Sequence, residues 1–215
     1  MSPLGKIKYK LMYRSRSDKL KLFLNDVCSS DSNKVLDVGA ADVEYSPFDN
    51  FLEKYYPHPE KITALSIFPL VHFSQRYPSV SAVVYQGGRF PFEDNSFDVV
   101  HSNAVIEHVG SRDKQIDFVK ELARVGKKFF FTTPSRHFIF ETHTNIPFFH
   151  FLPKHFFDRL LLLLGKEWAS GDYMNLLSRK DVEVLMRKAC VHKFKIITKR
   201  MMGLPLHYFV IGEKE

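Results

Sequence analysis

The chain has 215 residues, of which 45% are hydrophobic and 26% charged, so it is long enough to bury a sizeable core and is not of disordered composition. Its two cysteines exclude a disulfide framework and a cysteine-based metal site, and they predict a reducing compartment. The net charge of +7 makes an acidic partner plausible on electrostatic grounds.

Much of the positive charge lies in the first residues. We interpret residues 1–16 as a basic N-terminal arm, either solvated and partly disordered or in peripheral contact with an acidic membrane. No aromatic-interleaved nucleic-acid motif accompanies it, so we expect no sequence-specific nucleic-acid partner. The N-terminus has no apolar core, and the most apolar region, residues 146–165, is interrupted by charged residues. The sequence therefore predicts a cytoplasmic protein, with a membrane-peripheral location left open.

Short β-rich runs alternate with helical patterns in the first two thirds of the chain, which predicts a parallel sheet with crossover helices. The expected strands are 34–38, 61–67, 82–85, 97–102 and 128–133. The expected helices are 17–27, 51–56, one starting at Pro69, and 112–125.

Beyond Pro134 the pattern changes to an aromatic and histidine-rich segment. We expect residues 136–177 to form a lid-like insert after the fifth strand, with a helix near 154–164 inside it. A serine-capped helix over 178–189 follows, and strands 194–199 and 207–212 predict an antiparallel hairpin at the sheet edge. The sequence shows no repeat or linker, so we expect a single domain spanning residues 1–215.

In an open α/β sheet, ligands bind beyond the carboxyl ends of the strands. The residues that follow the strands in this way are Gly39 to Asp42, Ser66 to Phe68, Gln86 to Phe90, Asn103 to His108 and Thr133 to His137.

The strand-four block FPFEDNSFDVVHSNAVIEHV, together with VLDVG, ITALSI and ELARVGKKFFFTTPS, resembles class I S-adenosylmethionine-dependent methyltransferases of the type-11 small-molecule group. The resemblance covers residues 17–137. It implies a Rossmann-like fold with a mostly parallel seven-stranded sheet, an antiparallel edge hairpin and helices on both faces.

The resemblance also implies S-adenosylmethionine as cofactor and a small-molecule, glycan or lipid-precursor acceptor, with oxygen the favoured methyl acceptor. Compared with the family pattern, Ala41 and Val43 replace later glycines of the first loop, and Ser66 replaces an acidic residue. The cofactor-binding residues that it implies are Asp37, Gly39, Ala40, Ala41, Ser66, Ile67, Gly88, Arg89, Phe90, Asn103 and Ala104.

Candidate catalytic groups are His108, His143 and Glu141, because an imidazole or a carboxylate can take a proton from a hydroxyl acceptor. A structural role for His108, fixing the start of the following helix, is equally consistent with the sequence. Arg136, His143 and His150 suit an anionic or hydroxylated acceptor. Related sequences carry a metal-binding glutamate where this chain has Ala104, so we expect no metal site.

Two other functions remain as alternatives. The altered first loop and the missing carboxylates are also consistent with a catalytically weak or inactive relative that acts as a binding or scaffold partner. A nicotinamide-dependent reductase is disfavoured, because its loop needs closely spaced glycines and an acidic residue after the second strand.

Overall fold

The computed structural model describes residues 3–28, 33–138, 154–167, 171 and 174–214, without the side chains of residues 3–12 and Lys154. The helices are α1 (Pro3–Leu22), α2 (Phe51–Tyr55), α3 (Val71–Arg76), α4 (Arg112–Val125), α5 (Lys154–Leu163) and α6 (Arg179–Lys188). A π-helical turn, Phe23–Val27, continues α1, and short 3-10 helices span Pro59–Lys61 and Ile106–His108. The strands are β1 (Val35–Val38), β2 (Ile62–Ser66), β3 (Ser81–Val84), β4 (Phe97–Asn103), β5 (Gly126–Pro134), β6 (Phe194–Met201) and β7 (Leu204–Glu213).

These strands form one seven-stranded sheet in the order β3-β2-β1-β4-β5-β7-β6. β1 and β2 pair in parallel with Asp37 opposite Ala64, and β2 pairs in parallel with β3. β6 and β7 pair antiparallel as a hairpin, so the predicted α/β architecture with an antiparallel edge is confirmed. No helix within the described ranges is long and apolar enough to cross a membrane.

The chain divides into two compact units, Met1–His101 with Val125–Phe130 and Ser102–Arg124 with Phe131–Glu215. In the first unit all four residues of β1 are buried, as expected for a strand covered on both faces. In the second unit α4 buries a stripe of Ile116, Val119 and Leu122, with the expected Ala123 only half-buried, and α6 buries Val182, Leu185 and Met186.

The N-terminal helix is longer than the sequence predicts. α1 begins at Pro3, so the described part of the basic arm is helical rather than disordered, and the helix expected from residue 17 onward continues it. The physical reason is that residues 6–16 contain no proline or glycine and are rich in lysine and arginine, which are good helix formers.

Two other boundaries differ from the prediction. α3 begins at Val71 and not at Pro69. Its first turn is instead capped from a distance, because Asp42 Oδ1 accepts a hydrogen bond from the Phe73 N–H at 2.9 Å. β5 starts at Gly126, directly after α4, so this glycine joins the helix to the strand without a loop.

Candidate active site

The loop after β1 turns at Gly39, which has a φ of +99° and so needs a residue without a side chain. The Gly39 N–H donates to the carbonyl oxygen of Leu65 in β2 at 2.8 Å. Ala40 follows and is buried. The hydrogen bond to β2 therefore fixes the position of the first residue of the turn.

Alanine at position 41 fits this loop without strain. Ala41 is not among the residues with positive φ, so a glycine is not required there. Its N–H donates to Asn50 Oδ1 at 3.0 Å, and its carbonyl accepts from Asn50 Nδ2 at 2.8 Å. One asparagine side chain thus holds both backbone groups of Ala41, and Asn50 itself adopts a left-handed φ of +48°.

The far end of the loop is held by Glu44. Its carboxylate forms a 2.8 Å ion pair with Lys54 and accepts a 2.6 Å hydrogen bond from the Tyr77 hydroxyl. Burial alone would raise the pKa of Glu44, but the hydrogen bonds from Lys54 and Tyr77 lower it below its ordinary value. The carboxylate therefore stays ionised and braces the loop against α2 and the end of α3.

A short polar contact in the first unit joins Asp37 and His101. Asp37 Oδ1 and His101 Nδ1 lie 2.5 Å apart, and both residues are largely buried. The imidazole lies between aromatic rings, with centroids 5.1 Å from Phe23 and 5.8 Å from Phe130. Burial lowers the pKa of His101 to about 4 and raises the pKa of Asp37 to about 6. At neutral pH the neutral imidazole therefore donates its Nδ1 proton to the Asp37 carboxylate.

A second buried carboxyl group lies beside this pair. Glu53 is only 5% exposed, and Asp37 is the neighbouring group that acts on it most strongly. Burial, followed by the charge of Asp37, raises its pKa well above the ordinary value. The positive charges of Lys19 and Arg16, both in α1, lower the pKa of His101 further. The prediction from sequence placed only Asp37 here and missed Glu53, His101, Lys19 and Arg16.

The ends of β2 and β3 present an open, partly apolar surface. Ser66 is buried, and its Oγ accepts a hydrogen bond from the Phe68 N–H at 3.2 Å. Ile67 and Phe68, by contrast, are 54% and 67% exposed. After β3, a side-chain carbon added at Gly88 would meet no atom within 4 Å.

Of the two residues after Gly88, only Arg89 is exposed. Phe90 is 2% exposed and packs edge-on against Tyr85 at 5.5 Å. Its side chain is therefore part of the core rather than of an accessible surface.

In the second unit, the end of β4 is tied to β5. Asn103 Oδ1 accepts a hydrogen bond from the Thr132 hydroxyl at 2.8 Å. The Ala104 N–H donates to the Thr132 carbonyl at 2.9 Å, and Ala104 has a left-handed φ of +57°. An alanine at such a φ is uncommon and marks a sharp exit from the strand.

Glu107 and His108, adjacent in sequence, lie in different environments. Glu107 is fully buried, and its Oε2 accepts a hydrogen bond from the Thr133 hydroxyl at 3.0 Å. Its carbonyl accepts from the Asn175 N–H at 2.8 Å, so this residue joins the strand end to the segment before α6. His108 is partly exposed and ends the 3-10 helix four residues before α4 begins.

The predicted acceptor-side residues are only partly within the described ranges. Arg136 is exposed, and its N–H donates to the Leu177 carbonyl at 2.9 Å. Arg112 lies on the same unit and forms a 3.3 Å ion pair with Asp181. Glu141, His143 and His150 lie outside the described residues. Among the residues that are described, no cluster of histidine, cysteine or carboxylate side chains is arranged to hold a metal ion.

Comparison with known proteins connects this sheet to one enzyme class. Residues 36–129 match a family model described as a methyltransferase domain, numbered type 11. No curated protein matches the chain.

Solved structures resemble the whole chain at low sequence identity. A putative sarcosine dimethylglycine methyltransferase from Galdieria sulphuraria is 14% identical with a TM-score of 0.61, covering 94% of this chain and 86% of that one. A possible histamine N-methyltransferase from Thermotoga maritima is 16% identical with a TM-score of 0.56, covering 98% and 95%. The N-terminal domain of EvdMO1, solved with S-adenosylhomocysteine bound, is 15% identical with a TM-score of 0.56, covering 93% and 81%.

The strand order and these structures define a class I S-adenosylmethionine-dependent methyltransferase fold. The matched type-11 domain contains the Gly39 loop and β1 to β4, so the resemblance inferred from the sequence is confirmed. S-adenosylmethionine is the cofactor of this class.

Proposed function

We propose that the chain binds S-adenosylmethionine and transfers its methyl group to a hydroxyl oxygen of a small-molecule, glycan or lipid-precursor acceptor. The observation that carries the proposal is the braced loop after β1. Gly39 provides the turn, Asn50 holds Ala41, and Asp42 caps α3. A loop with one glycine instead of three is thus kept in a defined shape.

The residues of the first unit fit the cofactor chemically. The exposed side chains of Ile67 and Phe68 offer an apolar surface for an adenine ring, and the open backbone at Gly88 leaves room beside it. The Ser66 hydroxyl accepts from the Phe68 N–H and keeps its own proton to donate to a ribose oxygen. We assign cofactor contacts to the Gly39 loop, to these residues and, in the second unit, to Asn103 and Ala104.

When bound, S-adenosylmethionine supplies an already activated methyl group. The chain then has to align the acceptor oxygen with that methyl group and to take up the hydroxyl proton. We assign the proton to the partly exposed imidazole of His108, with Glu141 and His143 as further candidates. Arg136, which is exposed, is assigned to an anionic or hydroxylated part of the acceptor, together with His143 and His150.

A second candidate function is a binding or scaffold protein with a weak or lost cofactor site. The observation that favours it is Ser66, which stands in place of a carboxylate and is 4% exposed. Replacing a charge-assisted contact by a neutral one weakens binding by about 1–2 kcal/mol. The free cysteines Cys28 and Cys190 agree with the reducing, cytoplasmic setting that we propose for either function.

The test is calorimetric titration of the protein with S-adenosylmethionine and with S-adenosylhomocysteine. We expect saturable micromolar binding of both, and Asn50→Ala should weaken it about tenfold or more because it releases both backbone groups of Ala41. Asn50→Gly removes the same hydrogen bonds but accepts the left-handed φ, so it should weaken binding similarly with a smaller loss of stability.

The matched control is Asn95→Ala. Asn95 also has a left-handed φ, +57°, but it lies in the turn before β4 instead of after β1. Asn95→Ala should lose stability because alanine is disfavoured at a left-handed φ, as in Asn50→Ala, but it should keep its affinity for the cofactor. Absence of any heat with either ligand at millimolar concentration would overturn the enzyme proposal in favour of the scaffold.

A further inference from the structure

The helix α5 is apolar on two opposite sides. Phe157 and Leu161 are buried in a small cluster with Met174, and Leu160 packs partly against it. On the opposite side Phe156, Leu162 and Leu163 are 52%, 51% and 84% exposed. A helix that is apolar all round normally has both sides covered.

The exposed side of α5 has a definite composition. At 3.6 residues per turn, five exposed residues fall within about one third of the helix circumference. We call them the α5 outer face: His155, Phe156, Arg159, Leu162 and Leu163. Three are large and apolar, two are basic or can become so, and none is acidic. The rings of His155 and Phe156 lie 4.2 Å apart, which extends the flat aromatic part of this face.

We propose that the α5 outer face docks on the surface of an anionic lipid bilayer. An amphipathic helix that lies in the membrane interface combines aromatic and leucine side chains with arginine or lysine, as this face does. The long arginine side chain can keep its charge among the headgroups while its stem stays in the apolar layer. The net charge of +7 favours an anionic surface.

This surface differs from the basic arm of residues 1–16 and does not depend on methyl transfer. It would bring the protein to a membrane whether or not it binds cofactor. A failure of the membrane-docking proposal can therefore be distinguished from a failure of the proposed function, because the calorimetric titration contains no lipid.

The test is co-sedimentation of the full chain with vesicles of phosphatidylcholine alone and of phosphatidylcholine with phosphatidylglycerol. We expect the protein to sediment with the anionic vesicles, and high salt to weaken the association. Phe156→Ser with Leu163→Ser should lower the partition coefficient at least tenfold, because two exposed apolar anchors are lost. Arg159→Gln should weaken binding to anionic vesicles without affecting the thermal melting.

The matched control is Met202→Ser. Met202 is 93% exposed at the β6–β7 hairpin, so the variant removes an equally accessible apolar side chain from another place. It should leave vesicle binding unchanged. The proposal is overturned if the wild-type chain sediments with neither vesicle, or if the Phe156 and Leu163 double variant binds like the wild type. It is also overturned if ultracentrifugation without lipid shows a dimer that the double variant abolishes, since the face would then bind a second copy.

Discussion

At the scale of single residues, two buried carboxyl groups make the stability of the fold depend on pH. Asp37 and Glu53 have pKa values raised by burial, and His101 has a lowered one. A carboxyl group whose pKa is higher in the folded state stabilises the fold fully at low pH. That contribution is lost as the pH rises through the folded pKa.

Glu53→Gln should remove the loss of stability that the ionisable Glu53 carboxyl group causes as the pH rises. The amide stays neutral at every pH, so the variant should match the wild type near pH 4 and be more stable by at least about 1 kcal/mol at pH 8. Asp37 contributes in the same direction up to about pH 6, and His101 contributes oppositely between about 4 and 6.5. Glu53 acts on the pKa values of both Asp37 and His101, so the difference between the two proteins includes these effects together with the ionisation of Glu53 itself.

The measurement is urea unfolding of both proteins from pH 4 to pH 8. Glu93→Gln, at an exposed carboxyl in the turn before β4, serves as the control and should change the free energy of unfolding little. A stability difference between wild type and Glu53→Gln that does not grow with pH would contradict the assignment of a buried, protonated Glu53.

At the scale of secondary structure, both ends of α6 are determined by residues that lie close to them in the chain. Ser178 caps the helix as predicted, and it shares a capping box with Asp181. At the other end, Val191 N–H donates to the Met186 carbonyl and Cys190 N–H to that of Arg187, both at 3.0 Å. This is the Schellman arrangement, and it places Cys190 in the left-handed position that glycine usually occupies, with φ +59°.

Cys190→Gly should therefore be more stable than Cys190→Ala by about 1 kcal/mol, because only glycine adopts this φ without a steric penalty. Both variants remove the thiol, so its chemistry does not enter the comparison. Thermal and urea unfolding of the two variants measure the difference. Equal stability, or a more stable alanine variant, would show that the helix end relaxes to another conformation.

At the scale of the whole molecule, cofactor binding is linked to global stability. A ligand that binds only the folded chain stabilises it by about 2.7 kcal/mol at one hundred times its dissociation constant. For a chain of this size that corresponds to an increase in melting temperature of about 5–10 °C. We expect S-adenosylhomocysteine to produce this shift in scanning calorimetry and Asn50→Ala to reduce it at the same ligand concentration. No shift at millimolar ligand would mean that the folded chain does not bind it, and would contradict the proposed cofactor site.

The architecture was predictable because its signals are local. β1 and β2 are short, largely buried β-rich runs, α4 has a helical stripe of buried residues, and Ser178 marks the start of α6. The extent of α1 was mispredicted, since a charged, helix-forming sequence does not by itself reveal whether it is ordered. Of the predicted site residues, the structure places the Gly39 loop and Ser66 at strand ends, whereas it buries Phe90 in the core.

The sequence by itself determined the order and type of the elements, the class of fold and the position of the glycine turn, since each depends on residues close together in the chain. The tertiary structure alone decided which polar groups meet. Asp37 and His101 are 64 positions apart, and Asn50 reaches back nine positions to Ala41. Contacts of this kind depend on strand register and on how far each helix enters the core, and both are set by the packing of the whole unit.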